Sequence, residues 1–338
     1  MTGLFYMLRH GPNDSRKSAV LPFTRGTAVE HPRRKMDDAA SALALAYARG
    51  VGPRTFARLI ERFDSPRAVL AASRADLLDG GVLSARVADA VLLCRGKLQA
   101  ARGVIAHLER TGVRPLSSGD PRYPSALRQL IDPPPLLFVQ GDPGLCEPGG
   151  IAMVGTTNPS PRGAAIAGEL AARLAATGST IVSGYARGVD TAAHLGALRA
   201  GGRTILVIPT GVFAFQWRPL FRRFAGLDGR TLILSERHPS EGWTAGNAIA
   251  RNRLIVALSR AVLFVETLAR PAAQETFGLA RRLGKPVFVV KYRRAPASAA
   301  GNATLLRLGA VPITSYADVP AIAESRPLPP PDQRQFGW

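Results

Sequence analysis

The sequence is poor in cysteine, in lysine and in acidic residues. Its two cysteines, Cys94 and Cys146, are far apart and lack metal-ligand spacing, which indicates reduced, buried thiols in an intracellular protein. Only five of the 44 Lys and Arg residues are lysines, and the 24 Asp and Glu residues leave a net charge of +20. This charge favours a polyanionic partner such as nucleic acid or an acidic membrane surface. A GC-rich coding sequence would also produce an arginine excess, so composition alone does not establish DNA binding.

Long apolar runs and catalytic motifs are also missing. No apolar run approaches the roughly 18 residues of a membrane-spanning helix, and the apolar patch near the N-terminus is too short for a signal peptide. The sequence therefore predicts a soluble, cytoplasmic protein with no membrane partner. It contains no arrangement of Ser, His and Asp typical of a catalytic triad, no cluster of metal ligands and no Walker lysine motif. We expect a binding protein rather than an enzyme, with no cofactor and no metal.

The chain is organised around a predicted βαβ unit between Ile151 and Gly188. Two apolar runs, Ile151–Val154 and Thr180–Val182, each lead into a glycine-containing loop. Between them, Ser160-Pro161 is typical of a helix start. Parallel strands place both loops at the same edge of a sheet, where open α/β sheets bind ligands and helix N-termini attract anions.

Composition divides the chain into four parts. Residues 1–36 mix Pro, Gly, Arg and Ser without periodicity and predict a flexible basic tail. Residues 37–114 have helical periodicity, whereas residues 115–320 alternate extended and helical segments. The chain then becomes Pro-rich, so residues 321–338 are expected to form a disordered tail.

The helical part contains a predicted helix-hairpin-helix unit. Gly50, Gly52 and Arg54 lie in a Gly-x-Gly hairpin between two helical segments. Glycines in such a hairpin let backbone N–H groups approach a phosphate without obstruction from Cβ atoms. The alternative is a small helical bundle that only packs on its neighbour.

The part that follows predicts an α/β fold with a doubly wound, mostly parallel sheet. An edge strand is expected at 136–139. Further strands are expected at 151–154, 180–183, 204–208, 231–235, 261–266, 286–290 and 310–313. Helices are expected between most of them, at 162–177, 190–200, 246–259, 274–283 and 301–308.

Several segments resemble the DprA/Smf family of DNA-processing proteins. The resemblance covers roughly residues 39–319 and is most specific at 120–142, 181–211 and 250–259. The family's SGxArGxDxxAHxxAL segment is matched at Ser183, Gly184, Ala186, Arg187, Gly188, Asp190, Ala193, His194, Ala197 and Leu198. Its RNRxIxxLS segment is matched at Arg251, Asn252, Arg253, Ile255, Leu258 and Ser259. The resemblance implies an extended Rossmann-like domain preceded by a small, SAM-like helix-hairpin-helix domain.

The same resemblance implies a homodimeric, single-stranded DNA-binding protein that loads DNA onto a RecA-type recombinase in natural transformation. One alternative is an enzyme that resembles the nucleoside-monophosphate phosphoribohydrolases, which need a Pro-Gly-Gly-x-Gly-Thr phosphate loop. The corresponding segment, residues 271–276, reads Pro-Ala-Ala-Gln-Glu-Thr and lacks every glycine. Another alternative is a scaffold that has lost DNA binding and keeps only protein contacts.

Phosphate binding is assigned to the loops and helix starts at the strand carboxyl ends. The assigned residues are Gly155, Thr156, Ser160, Arg162, Ser183, Gly184, Arg187, Gly188, Arg251, Asn252, Arg253, Thr276 and Lys291. The chain departs from the family pattern in three places. Thr157 replaces an arginine, Pro271-Ala272 replace a Ser-Gly pair, and residues 291–294 replace a Pro-Gly pair. Arg162, Lys291, Arg293 and Arg294 are candidates to restore the lost charge.

Other conspicuous residues have structural interpretations that we favour. Asp190 is typical of a helix N-cap, and His194 of a packed or hydrogen-bonded histidine rather than a metal ligand or general base. Glu236 and Glu266 end strands and are assigned structural roles rather than nucleotide contacts. The aromatic, arginine-rich stretch 213–224 could stack DNA bases, but a loop that covers the sheet or forms a subunit interface is favoured.

Arg251 and Arg253 lie on one predicted helix. Residues two apart on a helix diverge by about 200°, so both side chains cannot point the same way. We expect one to face the anion groove and the other to pair with a carboxylate or with backbone carbonyls.

Overall fold

The structure, a computed structural model, describes residues 32–81, 83–224 and 229–327. Most of the basic tail predicted at 1–36 and of the Pro-rich tail predicted at 321–338 lies outside these residues. The described chain extends into both ranges, because its first helix spans Pro32–Ala46 and its last spans Val319–Ala323. Ile322 is fully buried, so the folded core continues past the boundary expected at residue 320.

Short helices build the N-terminal part, and their starts follow from local sequence. They are α1 (Pro32–Ala46), α2 (Pro53–Phe63), α3 (Pro66–Ala71), α4 (Arg74–Leu78), α5 (Ala85–Leu93) and α6 (Leu98–Arg110). Proline follows the N-cap residues of α2 and α3, and Ser73 and Asp76 form a capping box at α4. Phe56 and Leu59 lie on one face of α2 and are buried in the bundle.

The strands of the described chain form one nine-stranded sheet. They are β1 (Val113–Ser117), β2 (Leu136–Gly141), β3 (Gly150–Val154), β4 (Ile181–Ser183), β5 (Thr204–Val207), β6 (Thr231–Ser235), β7 (Ser259–Phe264), β8 (Val287–Val290) and β9 (Val311–Ile313). Their order is β1-β2-β6-β5-β4-β3-β7-β8-β9. Only the β1–β2 and β2–β6 pairs of this sheet are antiparallel, which confirms the mostly parallel, doubly wound arrangement.

The strand expected at the sheet edge is not at the edge. β2 pairs with β1 on one side and with β6 on the other. The strand at this end of the sheet is β1, which contains Pro115 and which the sequence pattern did not reveal. Proline cannot donate a ladder hydrogen bond and is therefore tolerated in an edge strand.

Further helices lie between the strands and after the last of them. They are α7 (Ser125–Arg128), α8 (Pro161–Ala176), α9 (Val189–Arg199), α10 (Ala245–Ala250), α11 (Asn252–Ala257), α12 (Pro271–Arg282), α13 (Asn302–Arg307) and α14 (Val319–Ala323). The single helix expected at 246–259 is therefore two helices that meet at Arg251. None of the helices described is long and apolar enough to cross a membrane.

Both faces of the sheet are buried. Alternate residues of a strand point to opposite faces of the sheet. In β5, Ile205 and Val207 therefore pack in the core beneath α11 and α12. Leu206 and Ile208 pack instead in the core of the N-terminal helices. α8 and α9 cover the rest of that second face, over β3, β4 and β7. The N-terminal helical part is thus packed directly on the sheet.

Strand order creates a crevice at the centre of the sheet. From β3 the chain moves outward through β4, β5 and β6, and then returns to β7 on the other side of β3 before β8 and β9. The loops after β3 and β7 therefore leave the sheet in divergent directions. Ligands of open α/β sheets bind at such a switch point, beyond the strand carboxyl ends.

Candidate functional site

A pocket of about 260 Å³ lies at this switch point. Its walls are the loop after β3, the loop after β7, the start of α11 and the first turns of α12. The polar lining residues are Thr156, Thr157, Asn252, Thr267, Arg270 and Thr276. Of the residues assigned from sequence, the pocket brings together Gly155, Thr156, Asn252 and Thr276.

The first wall is rigid because the β3 loop is held on two sides. The Thr156 N–H donates to the Glu266 carbonyl at 2.7 Å, and the Thr156 carbonyl accepts from the Val189 N–H at 3.2 Å. A Cβ at position 155 would come within 2.5 Å of the Val189 side chain and 2.7 Å of the Glu266 carbonyl oxygen. Only glycine fits there, so Gly155 lets the loop pass between β7 and α9.

The second wall presents the N-terminus of α12. Pro271 is its first residue, and no side chain caps this end of the helix. Unpaired N–H groups and the helix dipole make such an end attractive to an anion. The Thr276 hydroxyl donates to the Ala272 carbonyl at 2.8 Å, and the exposed Arg270 supplies a positive charge at the rim. The uncapped helix start and Arg270 make this wall a candidate site for an anion.

The N-terminus of α8, by contrast, already holds an anion of the protein itself. The buried Glu266 carboxylate accepts hydrogen bonds from the Ser160 N–H at 2.8 Å, the Ser160 hydroxyl at 2.6 Å and the Ser298 hydroxyl at 2.8 Å. A Cβ at Gly163 would overlap this carboxylate. Glu266 is therefore structural, as expected, and Ser160 is not free to bind a phosphate.

Three further assigned residues have structural roles at the β4 loop. The buried Ser183 hydroxyl donates to the Met153 carbonyl at 2.7 Å. A Cβ at Gly184 would overlap the Arg251 guanidinium, and one at Gly188, where φ is 76°, would overlap the Thr156 carbonyl. These residues allow the close packing of neighbouring loops and do not line the pocket.

The expectation for Arg251 and Arg253 holds only in part, because both side chains pair with backbone carbonyls or a carboxylate and neither lines the pocket. Arg251 is only 5% exposed and donates to the Gly184 carbonyl at 2.5 Å and to the Val207 carbonyl. Burial lowers its pKa to about 10, an effect that Asp190 opposes. Arg253 donates to the Glu236 carboxylate and to the Asp132 carbonyl.

A buried polar network lies beneath the β4 loop. The Asp190 carboxylate accepts hydrogen bonds from the N–H groups of Gly184 at 3.1 Å and Ala186 at 3.2 Å, so it anchors the loop. The N-cap role expected for Asp190 is wrong, because the N-cap of α9 is Gly188. Nε2 of His194 accepts from the Tyr185 N–H at 3.3 Å, which leaves the proton on Nδ1, 2.6 Å from the Thr204 hydroxyl. Burial, with help from Arg218 and Arg251, lowers the pKa of His194 to about 3. His194 is a neutral, hydrogen-bonded histidine, as expected.

His194 should make stability depend on pH. The unfolded chain binds a proton at His194 below a pKa of 6.5, whereas the folded protein does so only near 3. Stability should therefore be complete above pH 6.5 and decline on acidification, by at most about 1.4 kcal/mol per pH unit from this residue. Urea unfolding of the wild type and His194→Gln across this range should give a shallower decline for the variant. Parallel pH profiles would contradict the assignment.

The remaining assigned cations lie on the surface. Arg162, Arg187 and Lys291 are exposed and do not line the pocket, and the Arg162 guanidinium lies 6.0 Å from the centre of the Tyr292 ring. Arg293 and Arg294 are exposed as well. They can add to the positive field near the strand carboxyl ends, but the structure gives them no contact with the pocket.

In the hairpin of the N-terminal part, the structure requires glycine at position 50 but not at position 52. Gly50 has a φ of 84°, and a Cβ there would lie 2.8 Å from the Val87 side chain. Gly52 is the N-cap of α2 with open space around it, and Arg54 is exposed. A phosphate contact at this hairpin stays a prediction.

The aromatic stretch 213–224 covers α9 and the β4 loop. Phe221 and Phe224 are buried against Leu195 and Leu198. The Arg218 guanidinium stacks 4.0 Å from the Tyr185 ring centre. The covering role favoured from sequence is thus supported for most of the stretch.

Sequence reasoning missed Thr267 and Arg270, which follow Glu266 at the end of β7. Their only sequence signal was position, since loops at the ends of parallel strands bind ligands. A second cavity, of about 330 Å³, lies away from this edge beside β1. Arg114, Arg122, Asp142 and Glu147 give it mixed charge, so it is a poorer anion site.

Comparison with known proteins gives a consistent result. The sequence profile of the DNA recombination-mediator protein A family matches residues 114–323, and that of the DprA-like N-terminal HHH domain matches residues 36–89. The chain is 31% identical over 300 residues to protein Smf of Synechocystis sp., covering 87% of this chain and 74% of that protein. It is 35% identical over 200 residues to DNA processing protein DprA of Streptococcus pneumoniae, covering 59% of this chain and 71% of that protein.

Solved structures agree with the sequence matches. The DprA structure from Streptococcus pneumoniae superposes with a TM-score of 0.62 at 29% identity, covering 84% of this chain and 97% of that one. DNA processing protein A from Helicobacter pylori, described for its single-stranded DNA binding mode, gives a TM-score of 0.54 at 30% identity. That match covers 62% of this chain and 95% of the other.

Proposed function

Because the chain belongs to the DNA recombination-mediator protein A family, we propose that it binds single-stranded DNA and holds one phosphate in the switch-point pocket. The observation that carries this proposal is the uncapped N-terminus of α12, in a pocket that Thr156, Thr157 and Asn252 also line. No carboxylate occurs among the described lining residues. Charge-assisted hydrogen bonds from such donors are among the stronger polar contacts in proteins.

The choice of single-stranded DNA rests on similarity and charge. The Helicobacter pylori relative is described for its single-stranded DNA binding mode, and the present chain carries a net charge of +20. The altered loops at Thr157 and Pro271-Ala272 preserve a pocket with hydrogen-bond donors. This favours a DNA-binding protein over a scaffold that has lost the activity.

Binding should be tested with single-stranded DNA, duplex DNA and free nucleotides over a range of salt concentrations. We expect the single strand to bind more tightly than duplex. Its log affinity should fall linearly with log salt, with a slope of about −0.7 for each neutralised phosphate, because bound counterions are released. Equal affinity for the two forms, or an affinity independent of salt, would contradict the proposal.

Transfer of the strand to a RecA-type recombinase in natural transformation belongs to the same proposal and rests on the family. Recombinase filament assembly on single-stranded DNA should accelerate when the protein is present. A homodimer is also proposed. β9 ends the described sheet with Val311 49% exposed, so a second copy could cover this edge. Sedimentation at several concentrations would measure the oligomeric state.

We further propose that the protein is not a phosphoribohydrolase. The start of α12 lacks the glycines of that enzyme's phosphate loop, and the Glu266 carboxylate is engaged by Ser160 and Ser298. Incubation with nucleoside monophosphates should therefore release no free base. Base release in proportion to protein concentration, measured by chromatography, would instead support the enzyme alternative.

A further inference from the structure

The helix-hairpin-helix unit does not stand apart from the sheet. The Tyr47 hydroxyl, at the end of α1, donates to the Glu236 carbonyl at 3.1 Å. The Tyr47 ring also packs edge-on against His238, with centroids 5.0 Å apart. Because Glu236 directly follows β6, the hairpin at residues 47–54 lies beside the carboxyl end of that strand.

Direct hydrogen bonds join the loops between this hairpin and the pocket. Two backbone hydrogen bonds join the loop after β5 to the loop after β6. The Gly211 N–H donates to the Glu241 carbonyl at 2.8 Å, and the Phe213 N–H donates to the Pro239 carbonyl at 3.0 Å. These two loops form a single surface next to the hairpin.

The same surface continues to the pocket. The Tyr185 hydroxyl, from the loop after β4, donates to the Gln216 carbonyl of the β5 loop at 3.2 Å. The β4 loop in turn leads into Val189, whose N–H donates to the Thr156 carbonyl in the wall of the pocket. From β3 to β6 this path crosses three strand spacings, or about 14 Å.

Cationic and apolar side chains lie exposed along this path. Arg187 follows β4, Phe213 is 36% exposed, and Arg49 and Arg54 are exposed at the hairpin. Trp243, in the loop after β6, is 65% exposed, which is unusual for so large an apolar side chain.

The acidic side chains beside the path are paired. Glu236 binds Arg253 and Arg237, while Glu241 accepts from the Asn247 amide at 2.6 Å and lies 4.0 Å from Arg237. Their charge is therefore largely compensated, and the surface keeps a positive character.

We propose that a single strand held in the pocket continues over the loops after β4, β5 and β6 to the hairpin. Arg49 and Arg54 contact its phosphates, and Trp243 stacks on a base. Alternating cations and aromatic faces are how proteins bind single strands without reading their sequence. This inference rests on the proposed function and adds a second contact zone to it.

The test compares short and long strands. Affinities for a thymidine dinucleotide, which is too short to span the path, and for an oligothymidylate of about 20 nucleotides would be measured for the wild type and for the double variant Arg49→Ala/Arg54→Ala. We expect the variant to lose about tenfold in affinity for the long strand, with a salt slope shallower by about 1.4 because two phosphate contacts are lost. Its affinity for the short strand should equal that of the wild type.

A matched control removes the same charge elsewhere. Arg281 and Arg282 are exposed in the last turn of α12, at the opposite edge of the sheet, so Arg281→Ala/Arg282→Ala should leave both affinities unchanged. An equal loss in the control and the hairpin variant, or an unchanged long-strand affinity in the hairpin variant, would overturn the path. If the path is overturned but the wild type still binds the short strand, the pocket proposal remains intact. If the wild type binds strands of neither length, both the pocket and the path are overturned.

Trp243 provides an independent readout. Because its side chain is 65% exposed, Trp243→Ala should leave the melting temperature unchanged. The variant should bind the long strand about tenfold more weakly, the range for loss of one stacked base, and Trp243→Phe should retain most of the affinity. Wild-type affinity in Trp243→Ala would rule out stacking at this position.

Discussion

Replacement of Ala272 by aspartate is expected to weaken single-stranded DNA binding by about 2–3 kcal/mol, a loss comparable to that of a hydrogen bond to a charged group. Ala272 lines the pocket in the first turn of α12. A carboxylate at this position would compete with the bound phosphate for the free N–H groups and repel it. The same carboxylate favours the helix through its dipole by about 0.3–1 kcal/mol, so the melting temperature should stay level or rise.

The matched control for this variant is Ala272→Asn. Asparagine has nearly the shape of aspartate but no charge, so it should reduce affinity far less. Fluorescence anisotropy with a labelled single strand would measure both affinities, and calorimetry would measure both melting temperatures. Equal binding by Ala272→Asp and the wild type would show that DNA does not use the N-terminus of α12.

Arg251→Met is expected to destabilise the protein by about 2–6 kcal/mol, because each of the two buried carbonyls left without a partner costs about 1–3 kcal/mol. Arg251 is 5% exposed and satisfies the carbonyls of Gly184 and Val207. It also stabilises the charge of Asp190, whose pKa burial raises and Arg251 lowers. Its loss would leave two buried carbonyls unpaired and one carboxylate uncompensated.

A double variant separates the charge from the packing. In Asp190→Asn/Arg251→Met the uncompensated carboxylate is gone, so the double variant should be less destabilised than the sum of the two single changes. Urea unfolding of the four proteins would measure this coupling. A stability of Arg251→Met near that of the wild type, combined with lost DNA binding, would instead restore Arg251 as a DNA contact.

The fold was largely predictable because its signals are local and periodic. The apolar runs at Ile151–Val154 and Thr231–Ser235 coincide with strands, and Ser160-Pro161 begins α8 as expected. β1 was not predicted, because its position depends on pairing with β2 rather than on its own pattern. The contacts of Arg251 were hidden for a similar reason, since its partners are the carbonyls of Gly184 and of Val207 in β5, both distant in sequence.

The candidate site was predictable as a region but not in its details. Sequence placed Gly155 and Thr156 at the ligand-binding edge, and they do line the pocket. It could not show that Glu266 occupies the N-terminus of α8, because the two segments are 106 residues apart. The proposed anion site therefore lies at α12 instead, where the altered sequence Pro271-Ala272 had suggested a loss of function.

Hydrogen exchange with and without single-stranded DNA tests the central claim most directly. Peptides that cover residues 155–158 and 270–274 should exchange more slowly in the complex, because the phosphate would engage N–H groups of both pocket walls. The first turn of α8, around Gly163, should be unchanged, since Glu266 and Ser160 already hold it. Protection at α8 or only in the N-terminal helices, with the pocket peptides unaffected, would contradict the account.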